Sequence, residues 1–534
     1  MHRPLPLKTR ALACAAVGLL TAGCQLLSLP SSLLPAPTPT APNVERPAPT
    51  AGTAGATSTP WILPPTLVVP TAEARLQEEA MLPAFAGDAD APGDRTQYWV
   101  EANVDFDPKT YQASIRGQNR IRFTVPDGPP IQEIPLMLWP NDGQYAAEMR
   151  AGPALINGVE SLGRADLDGI VQWYSLAEPA RPGETLDISL PFEIEAGGPI
   201  GGARPQRFGI TSGVFIAPTF YPLIPRRVEG AWQVEPAPYG GDTTNSDTAF
   251  YDVSLTIPSA LSLAASGVET DRVDHGDGTT TLRFVSGPMR DFAFALGPLE
   301  PKERTVDGVV VRAWTLPQHA QDAGPMLDAA ARQVSLLDER VGQYPFAELD
   351  VVDAPGAFGG IEYPGLVFIG TVGSDWLIPP TVHEVGHQWF YSLIGDDQLN
   401  EPWLDEAMAQ YSEVMYYDAY GGPGAGSGVI SDFRARARSA PDPTLPIGMP
   451  VSAYSSVDEY AAIVYGKGGV FLDALRGEIG DDAFDAFLKS YFDEYRYGFA
   501  SAKEFEATAE AACDCNLDRL FNLWVWQGGE IPGL

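Results

Sequence analysis

Basic residues are scarce in this chain. Its 534 residues hold 34 Lys and Arg against 69 Asp and Glu, a formal net charge of −35. That excludes nucleic acid as a partner, because phosphate binding needs a basic surface. The acidity serves solubility, or it builds a negative cleft that draws in cationic peptides. Histidine is scarcer still, at five residues, and cysteine numbers four; Cys14 would leave with an export signal and Cys24 would carry lipid, so only Cys513 and Cys515 remain. Only Asp514 separates Cys513 from Cys515. A bond across one residue is strained, and an exported location permits it without requiring it. No further Cys or His lies near the pair, which argues against a metal there. Apolar content of 45% and charged content of 19% are ordinary for a globular protein. The length exceeds what one hydrophobic core serves, so two or more domains are expected.

The N-terminus reads as an export signal over residues 1–23. His2, Arg3, Lys8 and Arg10 make a basic start, residues 11–20 are apolar, and Thr21, Ala22 and Gly23 precede Cys24. The apolar run falls short of the roughly 20 residues that span a bilayer. Thr21-Ala22-Gly23-Cys24 resembles a bacterial lipobox, with Thr21 where an aliphatic residue is usual; it implies lipidation of Cys24 and a membrane anchor. The alternative is ordinary cleavage near Gly23 and secretion. Residues 24–94 are then a linker, Pro-, Ala- and Thr-rich at first, as in Pro35-Ala36-Pro37-Thr38-Pro39-Thr40. Such composition favours polyproline II, and it could reach on the order of 100 Å.

From Gln97 the pattern changes. Tyr98, Val100, Ala102, Val104 and Phe106 alternate with more polar residues, and Tyr251, Val253, Leu255 and Ile257 do so again. This period of two predicts strands. Residues 95–301 therefore read as an antiparallel β domain of two packed sheets. Residues 302–534 read as mainly helical, giving an α+β chain. Met326, Ala330, Val334 and Leu337 fall at helical spacing, short strands are expected at 349–352 and 366–369, and helices near 380–394, 403–419, 458–476 and 481–496.

His383-Glu384-Val385-Gly386-His387 carries the chemistry. On a helix the two imidazoles, four residues apart, share a face and can reach one zinc ion. Glu384 beside them can face a water at the open coordination position. A catalytic zinc needs a third protein ligand. Glu406, separated from His387 by eighteen residues, opens a second helical stretch behind Pro402 and could return antiparallel to the first. An acid in a first turn is otherwise explained by the helix dipole. Glu413, two turns on, could hydrogen-bond a ligand imidazole, or it is a solvated helix acid.

HExxH followed by eighteen residues and Glu resembles the zinc signature of the aminopeptidase N and leukotriene hydrolase family. His387-Gln388-Trp389-Phe390 and Trp403-Leu404-Asp405-Glu406 are similar to its HQWF and WLNE segments, with Asp405 in place of Asn. The resemblance implies a saddle-like β domain before a thermolysin-like catalytic domain, one zinc on His383, His387 and Glu406, and peptide substrates with a free N-terminus. Gly359-Gly360-Ile361-Glu362-Tyr363 resembles its GAMEN motif; Gly359 and Gly360 would contact substrate and Glu362 would bind its α-amine. Tyr465-Gly466-Lys467-Gly468 resembles its YxKG segment, so Tyr465 would donate to the oxyanion, with Tyr460 lining the same site. Trp524 to Gly529 resembles the point where the family's catalytic domain closes, implying a shorter form with a more open cleft. Three alternatives remain at this point: an endopeptidase using the same zinc site, an epoxide hydrolase side activity as in the leukotriene branch, and a non-enzymatic surface lipoprotein on the same fold.

Overall fold

The computed structural model describes residues 76–90, 95–197, 207–236, 238, 246–355 and 359–534. The export signal, Cys24 and most of the linker lie outside the described residues. The linker's expected end at 94 is corrected by its last part. From Leu76 the chain packs on the folded body: Ala80, Met81, Leu82 and Ala89 are buried. Leu82 N donates to Pro345 O at 2.8 Å, and Ala347 N to Ala80 O at 2.9 Å. Burial of these apolar side chains offsets the entropy of ordering the segment.

Alternation of apolar residues becomes alternation of burial. In Gln97–Asp107, Tyr98, Val100, Ala102, Val104 and Phe106 are inside. This strand lies in a nine-stranded sheet between Gln112–Thr124, antiparallel to it, and Phe250–Pro258, parallel to it. The parallel pair arises because more than a hundred residues of other strands separate the two partners, long enough for a crossover. A four-stranded sheet built on Val214–Pro218 and Ala293–Gly297 packs against the large one. Phe106 of the first meets Phe215 of the second with ring centroids 5.8 Å apart. A third, three-stranded sheet runs through Ile131–Met137, Val171–Ala180 and Arg164–Asp166.

A five-stranded sheet begins the second half, in the order Glu300–Val306, Val309–Thr315, Glu348–Asp353, Leu366–Ile369, Gly360–Tyr363. Its first strand straddles residue 301, because it pairs forward with Val309–Thr315. Gly360–Tyr363 forms one edge, antiparallel to Leu366–Ile369.

Helix α1, Ala323–Arg340, buries Met326, Ala330, Val334 and Leu337 as its spacing predicts. Helix α2, Ile378–Gly386, carries the HExxH segment, and helix α3, Trp403–Tyr420, carries Glu406. Helix α3 is buried continuously from Trp403 to Tyr416, so it is a central core helix rather than an amphipathic surface one. Helices α2 and α3 meet at Gly386, where a β-carbon would lie 2.5 Å from Ser412 Oγ and 3.4 Å from Ala409 Cα. No larger residue fits this crossing.

The helix expected to run to 394 stops at Gly386. Beyond it the chain folds into a turn, with Ser392 N bonded to His387 O at 3.0 Å and Tyr391 at φ 125°. Trp389, whose indole donates to Gly342 O at 2.7 Å, is drawn into the core there. Tertiary hydrogen bonds override the helical spacing of Trp389, Phe390 and Leu393. The stretch 458–476 is also interrupted, since Ala461–Lys467 forms a π-helix between two α-helical pieces. Cys513 and Cys515 are joined in a disulfide, with Asp514 in the left-handed region at the end of helix Ala502–Cys513.

Candidate active site

Position four on from His383 brings His387 to the same face of α2, and the close crossing at Gly386 brings α3 beneath both. Their ligand atoms converge. His383 Nε2 and His387 Nε2 are 3.1 Å apart, and Glu406 Oε2 lies 3.3 and 3.4 Å from them. All three side chains are buried. A tetrahedral ion with bonds of about 2.0–2.1 Å has donor–donor edges of about 3.3–3.4 Å. Two nitrogens and one carboxylate oxygen at these separations fit zinc.

The ring nitrogens facing away from the cluster are held too. His387 Nδ1 donates to Phe390 O at 3.0 Å. His383 Nδ1 lies 3.3 Å from Glu413 Oε1 and 2.8 Å from Gln410 Nε2. The Glu413 carboxylate and Phe390 O, the acceptors facing Nδ1, keep each ring in the tautomer whose Nε2 is free for a metal, and they raise its basicity. Burial presses His383 toward neutrality, but Glu406 and Glu413 outweigh it and hold its pKa at about 9. Burial likewise opposes ionisation of Glu406, yet both imidazoles drive it well below the usual carboxylate range. The space between these three groups is thus tuned for positive charge.

Glu384 is buried beside the cluster, and burial raises its pKa to about 8. Its carboxylate packs on the backbone of Gly360, where a β-carbon would lie 2.3 Å from Oε1. Gly359, the residue before, accepts from Gly370 N at 2.9 Å, which fixes the start of the edge strand. Two residues past Gly360, buried Glu362 accepts from Gln398 Nε2 at 3.3 Å, and the same amide donates to Asp405 Oδ2 at 2.9 Å. Glu362, His387 and Asp405 bring one donor atom each within 4.8 Å of one another. A second pole of negative charge therefore adjoins the first.

Tyr465 donates its hydroxyl to Glu406 Oε1, and its ring stacks 6.0 Å from that of His383. Tyr460 sits edge-on to Tyr465, with centroids 5.7 Å apart. The π-helix sets two residues five apart on one face, which an α-helix does not. The structure thus gathers His383, Glu384, His387, Glu406, Glu413, Glu362, Gly360, Tyr465 and Tyr460 around one centre. Sequence reasoning missed Gln410 and Gln398 and gave Asp405 no role. Gln410 was findable, since it sits one turn after Glu406 and nearly one before Glu413 on the same helix face. Gln398 lies on an irregular segment and carries no such signal.

Comparison with known proteins points to zinc peptidases. Residues 375–524 match the peptidase family M1 domain. The chain is 27% identical over 292 residues to aminopeptidase N of Lactobacillus helveticus, covering 49% of this chain and 33% of that protein. It is 26% identical over 237 residues to aminopeptidase B of Mus musculus, covering 41% and 36%. The chain thus spans about a third of the length of these curated relatives. Among solved structures, an M1 zinc metallopeptidase from Deinococcus radiodurans has the same fold, with a TM-score of 0.63 at 22% identity, covering 82% of this chain and 94% of that one. A mutant of that enzyme bound to a Tyr-Ser-Ala substrate superposes with a TM-score of 0.61 at 22% identity, over 82% and 95%.

Proposed function

From its place as a two-domain member of the aminopeptidase N family of zinc peptidases, we propose that this chain is a zinc-dependent aminopeptidase that removes N-terminal residues from peptides. His383, His387 and Glu406 would hold the zinc, which would supply Lewis acidity to polarise the scissile carbonyl and to acidify water. Glu384 accepts the proton of the attacking water and passes it to the leaving amine. The Tyr465 hydroxyl donates to the oxygen on which negative charge develops. Glu362 pairs with the substrate's ammonium group, and this sets cleavage next to the N-terminus.

The observation that carries the reading is the second pole of charge. Glu362 and Asp405 are two buried carboxylates joined by one amide from Gln398. Two carboxylates brought this close together favour a cation beside them, and the ammonium group of a peptide N-terminus is one such cation. A mid-chain peptide, as an endopeptidase would take, brings no charge to that place. A panel of aminoacyl fluorogenic amides, with and without chelator, tests the activity. The same peptides with acetylated N-termini test the register: cleavage at equal rates would favour an endopeptidase.

We further infer that the protein is exported and tethered through lipid on Cys24. The support is the basic start, the short apolar run and Thr21-Ala22-Gly23-Cys24, together with a disulfide of the kind found in oxidising compartments. Among the described residues, no helix is long and apolar enough to cross a membrane. Metabolic labelling with a palmitate analogue, present in the native chain and lost in Cys24→Ala, tests the tether.

A further inference from the structure

Arg290 is an arginine of the β half whose side chain is 1% exposed. Its Nε donates to Tyr391 O at 2.8 Å and its Nη1 to Ser246 O at 3.3 Å. Its Nη2 donates to Leu393 O at 3.5 Å and also to Gly498 O. These four acceptors are all backbone carbonyls, and two belong to the turn that follows His387. The guanidinium also stacks on Phe499, 4.2 Å from the ring centroid, with Arg226 on the same ring at 3.2 Å. Gly395 leaves room for it, since a β-carbon there would lie 2.2 Å from Arg290 Cζ. Burying a guanidinium costs several kcal/mol, and here backbone carbonyls and ring stacking offset that cost.

Tyr391 shows what depends on it. Its φ of 125° is a region that bulky residues avoid, and such conformations persist only where the surroundings impose them. Here both peptides flanking Tyr391 are held. Its N–H donates to Ile394 O at 2.9 Å, and its C=O accepts from Arg290. The peptide on its N-terminal side is the one whose oxygen, Phe390 O, accepts from His387 Nδ1 at 3.0 Å. Were the Tyr391 carbonyl released, φ could relax, the 390–391 peptide would rotate, and Phe390 O would swing off the imidazole.

We propose that Arg290 is a positioning residue for the metal centre: reaching across from the β domain, it holds the strained turn that orients His387. The proposal rests on His387 being a zinc ligand. Wild-type protein that took up no zinc would remove the site itself, whereas variants binding zinc at wild-type strength would remove only the role of Arg290.

Two variants approach the contact from opposite sides. Arg290→Lys keeps the charge but not the span from Tyr391 to Ser246 and Gly498. Gly395→Ala keeps the arginine but pushes its guanidinium aside. Zinc affinity is read by competition with a chelator of known strength on folded apoprotein, and the His387 Nδ1–H by imidazole ¹⁵N NMR. Each variant should bind zinc about 10- to 100-fold more weakly, with the Nδ1–H signal shifted toward that of a solvent-exposed ring. A clamp of purely structural value would lower the melting temperature and leave both readouts alone. Wild-type zinc affinity in either folded variant, or failure of both variants to fold, overturns the assignment.

Discussion

The carboxylate of Glu384 rests directly on the α-carbon of Gly360, so closely that a methyl group at 360 would meet Oε1 at 2.3 Å. The proposed base thus takes its position from an edge strand and not from its own helix alone. Gly360→Ala keeps an allowed backbone and should displace the carboxylate by a fraction of an ångström. The expected result is a fall in kcat of about 10²-fold, with zinc content still one per chain by metal analysis. Unchanged kcat would show that Glu384 has another place to go.

Glu384→Gln removes the proton acceptor and keeps its shape. Turnover should drop by about 10²- to 10⁴-fold, while zinc binding, measured separately, stays within a few-fold of the parent. Retained activity would refute the assigned base.

Glu362→Gln removes one of the two carboxylates bridged by Gln398. A hydrogen bond to a charged group is worth about 1.5–3 kcal/mol, so KM for free-amine substrates should rise about 10- to 150-fold. Hydrolysis of N-acetylated peptides, already slow, should not change. An equal loss on both substrates would place Glu362 in general support of the site.

Asp338 gives a pH dependence away from the metal. Burial raises its pKa to about 7 against the hydrogen bond from Tyr344, and Asp307 adds to the rise. Between the ordinary value of 3.8 and about 7 the folded chain holds a proton that the unfolded chain has lost. Stability therefore falls as pH climbs through that window, and the cost is complete above it. Asp338→Asn keeps an acceptor for Tyr344 N, now 2.7 Å from Oδ1. Denaturant midpoints at pH 5 and pH 8 should converge in the variant, with the gain at pH 8. A parent whose midpoint does not fall from pH 5 to pH 8 would contradict this.

Where the sequence was informative, one short-range rule governed the outcome. The strand at Tyr98 to Phe106 and helix α1 follow from periodicity, because each buries one face and the burial dominates. His383, His387 and Glu406 were legible because a metal fixes ligand type and spacing together. The turn after Gly386 was not, since Trp389 to Leu393 have helical spacing and are bent away by partners at Gly342 and Arg290, one of them in the other half of the chain. Neither was the π-helix under Tyr465, whose extra residue per turn leaves no trace in composition. Packing from Leu76 onward was hidden for the same reason: its hydrogen-bond partners, Pro345 O and Ala347 N, are hundreds of residues away.

Helices α2 and α3 cross on a single glycine, and the three donors are divided between them. An ion seated there is consequently a rivet as well as a reagent. It joins two buried segments, so occupancy must add to the free energy of folding by an amount that grows with the logarithm of free zinc. Starved of metal, such a chain would lose endurance along with turnover, and its lifetime would report the zinc supply around it.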